Sequence, residues 1–187
     1  MLGPLSRGGG DAHTHPRVQL RHRPGGPGES CIGGPGGVQW LRPLKAEGDP
    51  MPSIQGGCLC GAIRYTSDSQ PAMVALCHCT HCQRQSGAAF SVNVGVPKGT
   101  LRFTAGKTRV FTDTGSSGQP VYRHFCGDCG SPIFSDVAAS PQLDWLKAGT
   151  LDDSSWVQPA VSIWCASAQG WVPHPAGVPQ FPQNPPG

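Results

Sequence analysis

The six residues Cys77-His78-Cys79-Thr80-His81-Cys82 place three thiols in one short segment, and no other feature constrains the fold as strongly. Cys58-Leu59-Cys60 lies upstream and Cys126-Gly127-Asp128-Cys129 downstream, so seven of the nine cysteines fall into three clusters. Thiolates bind Zn²⁺ at about 2.3 Å in tetrahedral shells, and closely spaced cysteines answered by another pair far along the chain are the usual sign of one. The C-x-C and C-x-x-C pairs together supply four sulfurs, enough to close a site. The triplet supplies three, and a three-ligand zinc keeps a position open for water or substrate. One closed site and one open site, hence two zinc ions per chain, is the pattern of a metalloenzyme.

A chain of 187 residues has room for one ordinary domain. With 27 Gly, 20 Pro and few charges it reads as loop-rich with a small core, in which metal supplies part of the folding free energy. A net charge of +3 is too small to argue for nucleic acid or an anionic membrane surface. No apolar run approaches the ~20 residues of a membrane helix, and the N-terminus lacks the apolar core of a signal peptide. Clustered cysteines without a secretion signal read as reduced metal ligands in the cytoplasm, and an odd count would strand one thiol in any disulfide scheme.

Residues 1–51 read as a disordered extension. Residues 1–50 alone hold twelve Gly and seven Pro, a density that prevents both helix propagation and a sheet ladder. Arg17, Arg21, His22 and Arg23 are offset by Asp11, Glu29, Glu47 and Asp49, which favours a solvated tail over an RNA-binding or targeting one. Met51 precedes the ordered pattern, so residues 1–50 read as a start-site artefact. The domain is expected over 52–183, with 184–187 as a tail. Within it Phe90, Val92, Val94 and Val96 alternate with Ser91, Asn93 and Gly95, the period-two signature of a half-buried strand. Short runs at Ala62–Thr66, Arg109–Thr112, Val121–Phe125 and Val161–Cys165 are similar, with Gly-rich turns between them. No apolar stripe of helical period extends beyond a turn or two.

In an extended segment side chains at i and i+2 face one side, so Cys58 and Cys60 can reach one ion if the chain bends, which Gly56, Gly57 and Gly61 permit. Cys126 and Cys129, with Gly127 and Gly130, form a knuckle. A thioredoxin-like redox pair is the rival reading, but Gly130-Ser131-Pro132 leads into a strand-like Ile133-Phe134 where such a pair would open a helix.

Three stretches resemble the glutathione-dependent formaldehyde-activating enzyme family, which includes centromere protein V-like proteins. They are Gly56-Gly57-Cys58-Leu59-Cys60-Gly61-Ala62-Ile63-Arg64-Tyr65, Cys77-His78-Cys79-Thr80-His81-Cys82-Gln83-Arg84 and Phe125-Cys126-Gly127-Asp128-Cys129-Gly130-Ser131. Ala148–Asp153, Ile163-Trp164, Trp171 and Phe181-Pro182 fit the same pattern, so the resemblance covers roughly residues 54–182. It implies a mainly β fold of several small coiled antiparallel sheets, similar to the Mss4-like zinc folds. It also implies a structural zinc on Cys58, Cys60, Cys126 and Cys129, and a catalytic zinc on Cys77, Cys79 and Cys82. The implied activity joins a small thiol such as glutathione to formaldehyde, or runs in reverse as a carbon–sulfur lyase. The alternatives are a non-catalytic zinc scaffold that binds protein or nucleic acid, and a redox or metal-handling centre.

Three thiolates on Zn²⁺ leave a net charge of −1, which suits a soft fourth ligand such as a thiol. His78 and His81, set between the ligands, are candidate general acids. A structural role is the plainer reading for both, and His81 as a fourth ligand would close the site. Arg84 could pair with a substrate carboxylate or with a surface acid. Arg123 and His124 are expected to set a sheet edge. Cys165 reads as a small buried hydrophobe ending a strand, and Cys31 as a free thiol. Trp145, Trp156, Trp164 and Trp171 are core or cavity-wall candidates.

Overall fold

The alternation around Val94 becomes strand β4 (Ser91–Pro97), but both of its faces are covered rather than one. The cause is its place in the sheet. In the computed structural model, which describes residues 53–185, β4 lies at the interior of a seven-stranded sheet, between β3 (Met73–Cys77) and β9 (Leu143–Lys147). The expectations for residues 1–51 and for Cys31 lie outside the described residues.

The remaining strands are β1 (Ile54–Gly57), β2 (Arg64–Ser67), β5 (Leu101–Ala105), β6 (Arg109–Thr114), β7 (Pro120–Phe125), β8 (Pro132–Val137) and β10 (Val161–Ile163). Strands β1, β2 and β5 make a small sheet, and the large sheet runs β10-β3-β4-β9-β8-β7-β6. The fold is mainly β with one two-turn helix, α1 (Thr80–Ser86), among the described residues. All strand pairs are antiparallel except β10 with β3, which run parallel with Ile163 beside Cys77. That helix is neither long nor apolar enough to cross a membrane.

Register divides the large sheet into two faces. Val74, Val94, Leu146, Phe134 and His124 are successive cross-strand partners. Val74, Val94, Leu146 and Phe134 of this row join Ile54, Ile63 and Tyr65 of the small sheet's segments in the core. Each fully buried aliphatic side chain there contributes about 1.5–3 kcal/mol. The opposite face carries Ala75, Asn93 and Lys147 as one row and Trp145, Ser135 and Arg123 as another. It mixes polar side chains with Ala75 and Trp145 and forms one wall of a cavity. Gly95 belongs to this face because the Trp145 ring lies across it, with a ring carbon 3.1 Å from where a Cβ would stand.

The strand expected to run to Cys165 stops at Ile163. Trp164 turns into the left-handed region at φ 60°, and Cys165–Ser167 form a 3-10 turn. Cys165 N–H donates to Phe181 O at 2.9 Å, so the C-terminal segment takes the backbone bonds that a longer strand would have used. Cys165 is consequently half-buried in a turn and does not end a strand.

Candidate metal centres

Both halves of the four-cysteine cluster are tight turns. Gly61 N–H donates to Cys58 O at 3.1 Å, and Gly130 N–H to Cys126 O at 2.9 Å. Gly61 and Gly130 close these turns at φ +78° and +76°, which glycine reaches without a Cβ penalty. The turns bring the Sγ atoms of Cys58, Cys60, Cys126 and Cys129 within 4.8 Å of one another. Cys58 and Cys60 lie 3.4 Å apart and Cys60 and Cys126 3.8 Å. A tetrahedral shell with 2.3 Å zinc–sulfur bonds has edges of roughly 3.8 Å. The described cysteines are all free, so the donor set fits a closed zinc site.

Burial opposes a charge on Cys129, but the Ser131 hydroxyl and nearby N–H groups draw its pKa down to about 6. The Ala62 N–H favours a charge on Cys60, yet Cys58, burial, Cys129 and Cys126 together push its thiol up to about 12. The sulfurs therefore hold unequal shares of charge, and ion binding must displace the remaining protons.

The triplet is built where β3 meets α1. Cys77 is the last residue of β3, Cys79 is the helix N-cap, and Cys82 stands in the first turn. Cys82 N–H donates to Cys79 Sγ at 3.3 Å. Gly87, left-handed at φ 65°, ends the helix by donating to Gln83 O. The three sulfurs lie within 4.8 Å of one another. Cys82 is held down to about 2, first by the Cys77 and Cys79 thiols and then, against burial, by the cations Lys147 and Arg123. Cys77 is pushed far up by donating to Cys79 and Cys82. Cys82 is thus the thiol of the three that ionises most readily.

Cys77, Cys79 and Cys82 line a cavity of about 790 Å³, together with Asn93, Arg123, Ser135, Trp145, Lys147 and Trp164. Lys147 is 6 % exposed, and its Nζ donates to Asn93 Oδ1 at 2.8 Å. Burial pushes its amine down and Arg123 adds to that shift, while charge on Cys82, Cys77 and Cys79 opposes it. The Ser135 Oγ is buried without a hydrogen-bond partner. Lys147, Asn93 and Ser135 are not singled out by the sequence; the one signal is the polar Asn93 in the alternation of β4, and β8 and β9 carry no such alternation.

Arg123 corrects an expectation. Strand β7 lies inside the sheet between β6 and β8, and Arg123 is buried on the cavity face. Its Nε donates to Asp113 Oδ2 at 2.8 Å and its Nη1 to Gln85 Oε1 at 2.8 Å. His124 is structural, stacked on Phe134 at 3.9 Å with Nδ1 bonded to Thr108. His81 lines the cavity, but Asp113 holds its Nδ1 at 2.8 Å, and it is not among the residues whose ligand atoms converge with the triplet. His78 points away from the cavity, with Nε2 on Ser162 Oγ at 3.0 Å. Arg84 is exposed and borders a second pocket with His81 and Arg123. Trp145 and Trp164 are cavity walls, Trp156 packs on the core, and Trp171 is exposed.

Burial raises the Asp113 carboxyl, but bonds from His81 and Arg123 outweigh it and hold the pKa below the usual range. Asp113→Asn would leave the buried Arg123 guanidinium without its counter-charge, so a loss of about 3 kcal/mol in urea unfolding at neutral pH is expected. A depressed carboxylate stabilises the fold above its unfolded pKa, about 3.9, and that contribution is lost as pH falls through the folded value. The difference between wild type and variant should therefore shrink below about pH 4. A constant difference down to strong acid would refute the ion pair.

A four-sulfur cluster in the core and a separate three-sulfur cluster opening on a cavity define a mainly β protein with two groups of thiols that could each hold a metal ion. Residues 53–167 match the family described as glutathione-dependent formaldehyde-activating enzyme, and the chain belongs to that family. A Phaeosphaeria nodorum protein named "Putative glutathione-dependent formaldehyde-activating enzyme" is 27% identical over 122 residues, and the match covers 63% of this chain and 63% of that protein. A Podospora anserina protein of the same name is 26% identical over 149 residues, covering 73% of this chain and 69% of its own. A crystal structure of a Rhodobacter sphaeroides protein superposes with a TM-score of 0.44 at 17% identity, covering 68% of this chain and 98% of that one.

Proposed function

We propose that the domain over residues 52–183 is a zinc-dependent enzyme of thiol adducts. It makes or breaks the carbon–sulfur bond between formaldehyde and glutathione or a similar small thiol, as an S-hydroxymethyl-thiol synthase in one direction and a carbon–sulfur lyase in the other. The observation that carries this reading is the convergence of three sulfurs, without a fourth side-chain ligand among the described residues, on a cavity of about 790 Å³. Small-molecule sites run from about 300 to 1,000 Å³. Cys58, Cys60, Cys126 and Cys129 would hold a structural zinc, and Cys77, Cys79 and Cys82 a catalytic one. Bound at the triplet, zinc supplies an open, soft position that keeps a thiol deprotonated at neutral pH.

The chain's own residues do the rest. Lys147 and Arg123 offset the negative charge of the three thiolates. Ser135 stands in the cavity wall, with its Oγ buried and its hydrogen bond unused. In the forward direction a sulfur lone pair forms the S–C bond, the C=O π pair moves onto oxygen, and the proton given up by the thiol ends on that oxygen. The reverse breaks the same bond and returns the proton to sulfur. With Asp113 holding Nδ1, the His81 ring is oriented at the cavity wall, and its Nε2 is the atom left to carry that proton. The free state of every described cysteine suits a reducing compartment such as the cytoplasm.

The test is a panel of S-substituted thiols, glutathione adducts among them, offered to the two-zinc protein with release of free thiol as the readout. Metal-dependent release from at least one adduct supports the reading. Release no faster than from the zinc-stripped protein across the panel would replace it with the non-catalytic scaffold. Lys147→Met, of similar length but uncharged, should weaken zinc at the triplet by roughly 10- to 100-fold, as loss of an outer-shell partner commonly does. Competition with a chromogenic chelator reads this directly, and unchanged affinity would remove Lys147 from the site.

A further inference from the structure

The triplet motif contributes to a second cluster on its other side. Cys77 and Cys79 face the cavity, whereas His78, between them, lies outside its lining with 1 % exposure. Strands β3 and β10 run parallel with Cys77 beside Ile163, so the residues just past their ends emerge together. This brings His78 to Cys165. The following loop adds His174, set between Pro173 and Pro175, whose fixed φ angles limit the loop's freedom. One ligand atom from each of His78, Cys165 and His174 lies within 4.8 Å of the others.

The bonding of these side chains points to a missing partner. The His78 and His174 rings lie 5.0 Å apart. His78 Nε2 is engaged by Ser162 Oγ at 3.0 Å, which leaves Nδ1, and that atom is buried with no hydrogen-bond partner. His174 Nδ1 is likewise buried and unpartnered. Buried polar atoms are nearly always satisfied, and two idle imidazole nitrogens beside one thiol call for a shared electron-pair acceptor. Metal-binding histidines are commonly oriented through the far ring nitrogen by a carboxylate, a backbone carbonyl or water, and here the Ser162 hydroxyl holds that position. The Cys165 thiol donates to Ser162 O and Oγ at 3.5 and 3.4 Å, ordinary lengths for sulfur, and would give up that proton on binding a metal.

We propose that His78, Cys165 and His174 form a third metal site, distinct from both cysteine clusters, that takes a borderline-soft first-row ion such as Zn²⁺. Two neutral imidazoles and one thiolate leave a net charge of +1 on a divalent ion, opposite in sign to the triplet site. Mixed N/S donor sets of this kind favour zinc or copper over magnesium or calcium. The site draws on the triplet segment only through His78, so it stands whether or not the domain is an enzyme.

The experiment adds Co²⁺ anaerobically to protein already carrying two zinc equivalents, and measures bound metal together with the thiolate-to-cobalt charge-transfer band. The expected result is a third equivalent in wild type, with affinity reduced at least tenfold in both His174→Ala and Cys165→Ser while their two zinc ions remain. Cys82→Ser, which disables the triplet, should keep the third-site band. Saturation of wild type at two metals, or a third equivalent bound equally well by both variants, would overturn the site. Wild-type stoichiometry alone decides the matter if either variant fails to fold.

Discussion

Cys126→Ser is expected to abolish the cooperative fold of residues 53–185. Cys126 is 1 % exposed, belongs to the hydrophobic core, and offers its sulfur to the four-cysteine cluster. Its N–H and C=O also pin the knuckle, to Ser131 O and Gly130 N–H at 2.9 Å each. Small structural zinc sites are worth about 10–16 kcal/mol in apparent binding free energy, comparable with the whole net stability of a domain, about 5–15 kcal/mol. Losing one of four ligands removes a large part of that. Serine also leaves a buried hydroxyl in the hydrophobic core without a partner to offset its desolvation. Circular dichroism and thermal melting with and without a chelator read the outcome. A cooperative melt at the wild-type midpoint would mean the cluster is not a structural metal site.

Cys82→Ser should do nearly the opposite: retain the fold and lose the chemistry. Cys82 sits in the short helix α1, where Cys79 caps the backbone and Gly87 terminates it, so a serine fits without disturbing either end. The site would lose the sulfur that ionises most readily and that Lys147 and Arg123 favour in its charged form. A serine hydroxyl does not ionise in that range. Because outer-shell partners alone cost 10- to 100-fold, thiol release should fall by at least about a hundredfold with one zinc equivalent lost. Zinc content, melting temperature and free-thiol release are measured on one preparation. Activity within tenfold of wild type would remove the triplet from catalysis, and identical behaviour of the Cys82 and Cys126 variants would dissolve the distinction between two sites.

The two cysteine clusters were legible before any coordinates because ligand spacing is local. Cys58 with Cys60 and Cys126 with Cys129 each lie within one turn, and glycine placement discloses those turns. The strands were legible for a similar reason, since alternation at Val92, Val94 and Val96 requires only neighbouring residues. The cavity was not. In β4 and β9 both faces are covered, and period-two alternation says which residues share a face but not what that face meets. Asn93 beside Lys147, and Ser135 between Trp145 and Arg123, follow from strand register across four strands. Arg123 was assigned to an edge because nothing local reveals that β6 would pair outside β7. The parallel neighbour of β3 was equally hidden, because β10 arrives from more than eighty residues away.

The sequence by itself therefore determined which residues could serve as metal ligands: seven thiols in three groups, four enough to close a shell and three that would leave it open. Only the tertiary structure decided what surrounds them. It brought Lys147 and Arg123 to the open triplet, held His81 on Asp113 rather than with the sulfurs, and joined His78 to Cys165 and His174 on the far side. Ligand spacing is encoded within a few residues, whereas the environment of a charge depends on register between strands that are distant along the chain.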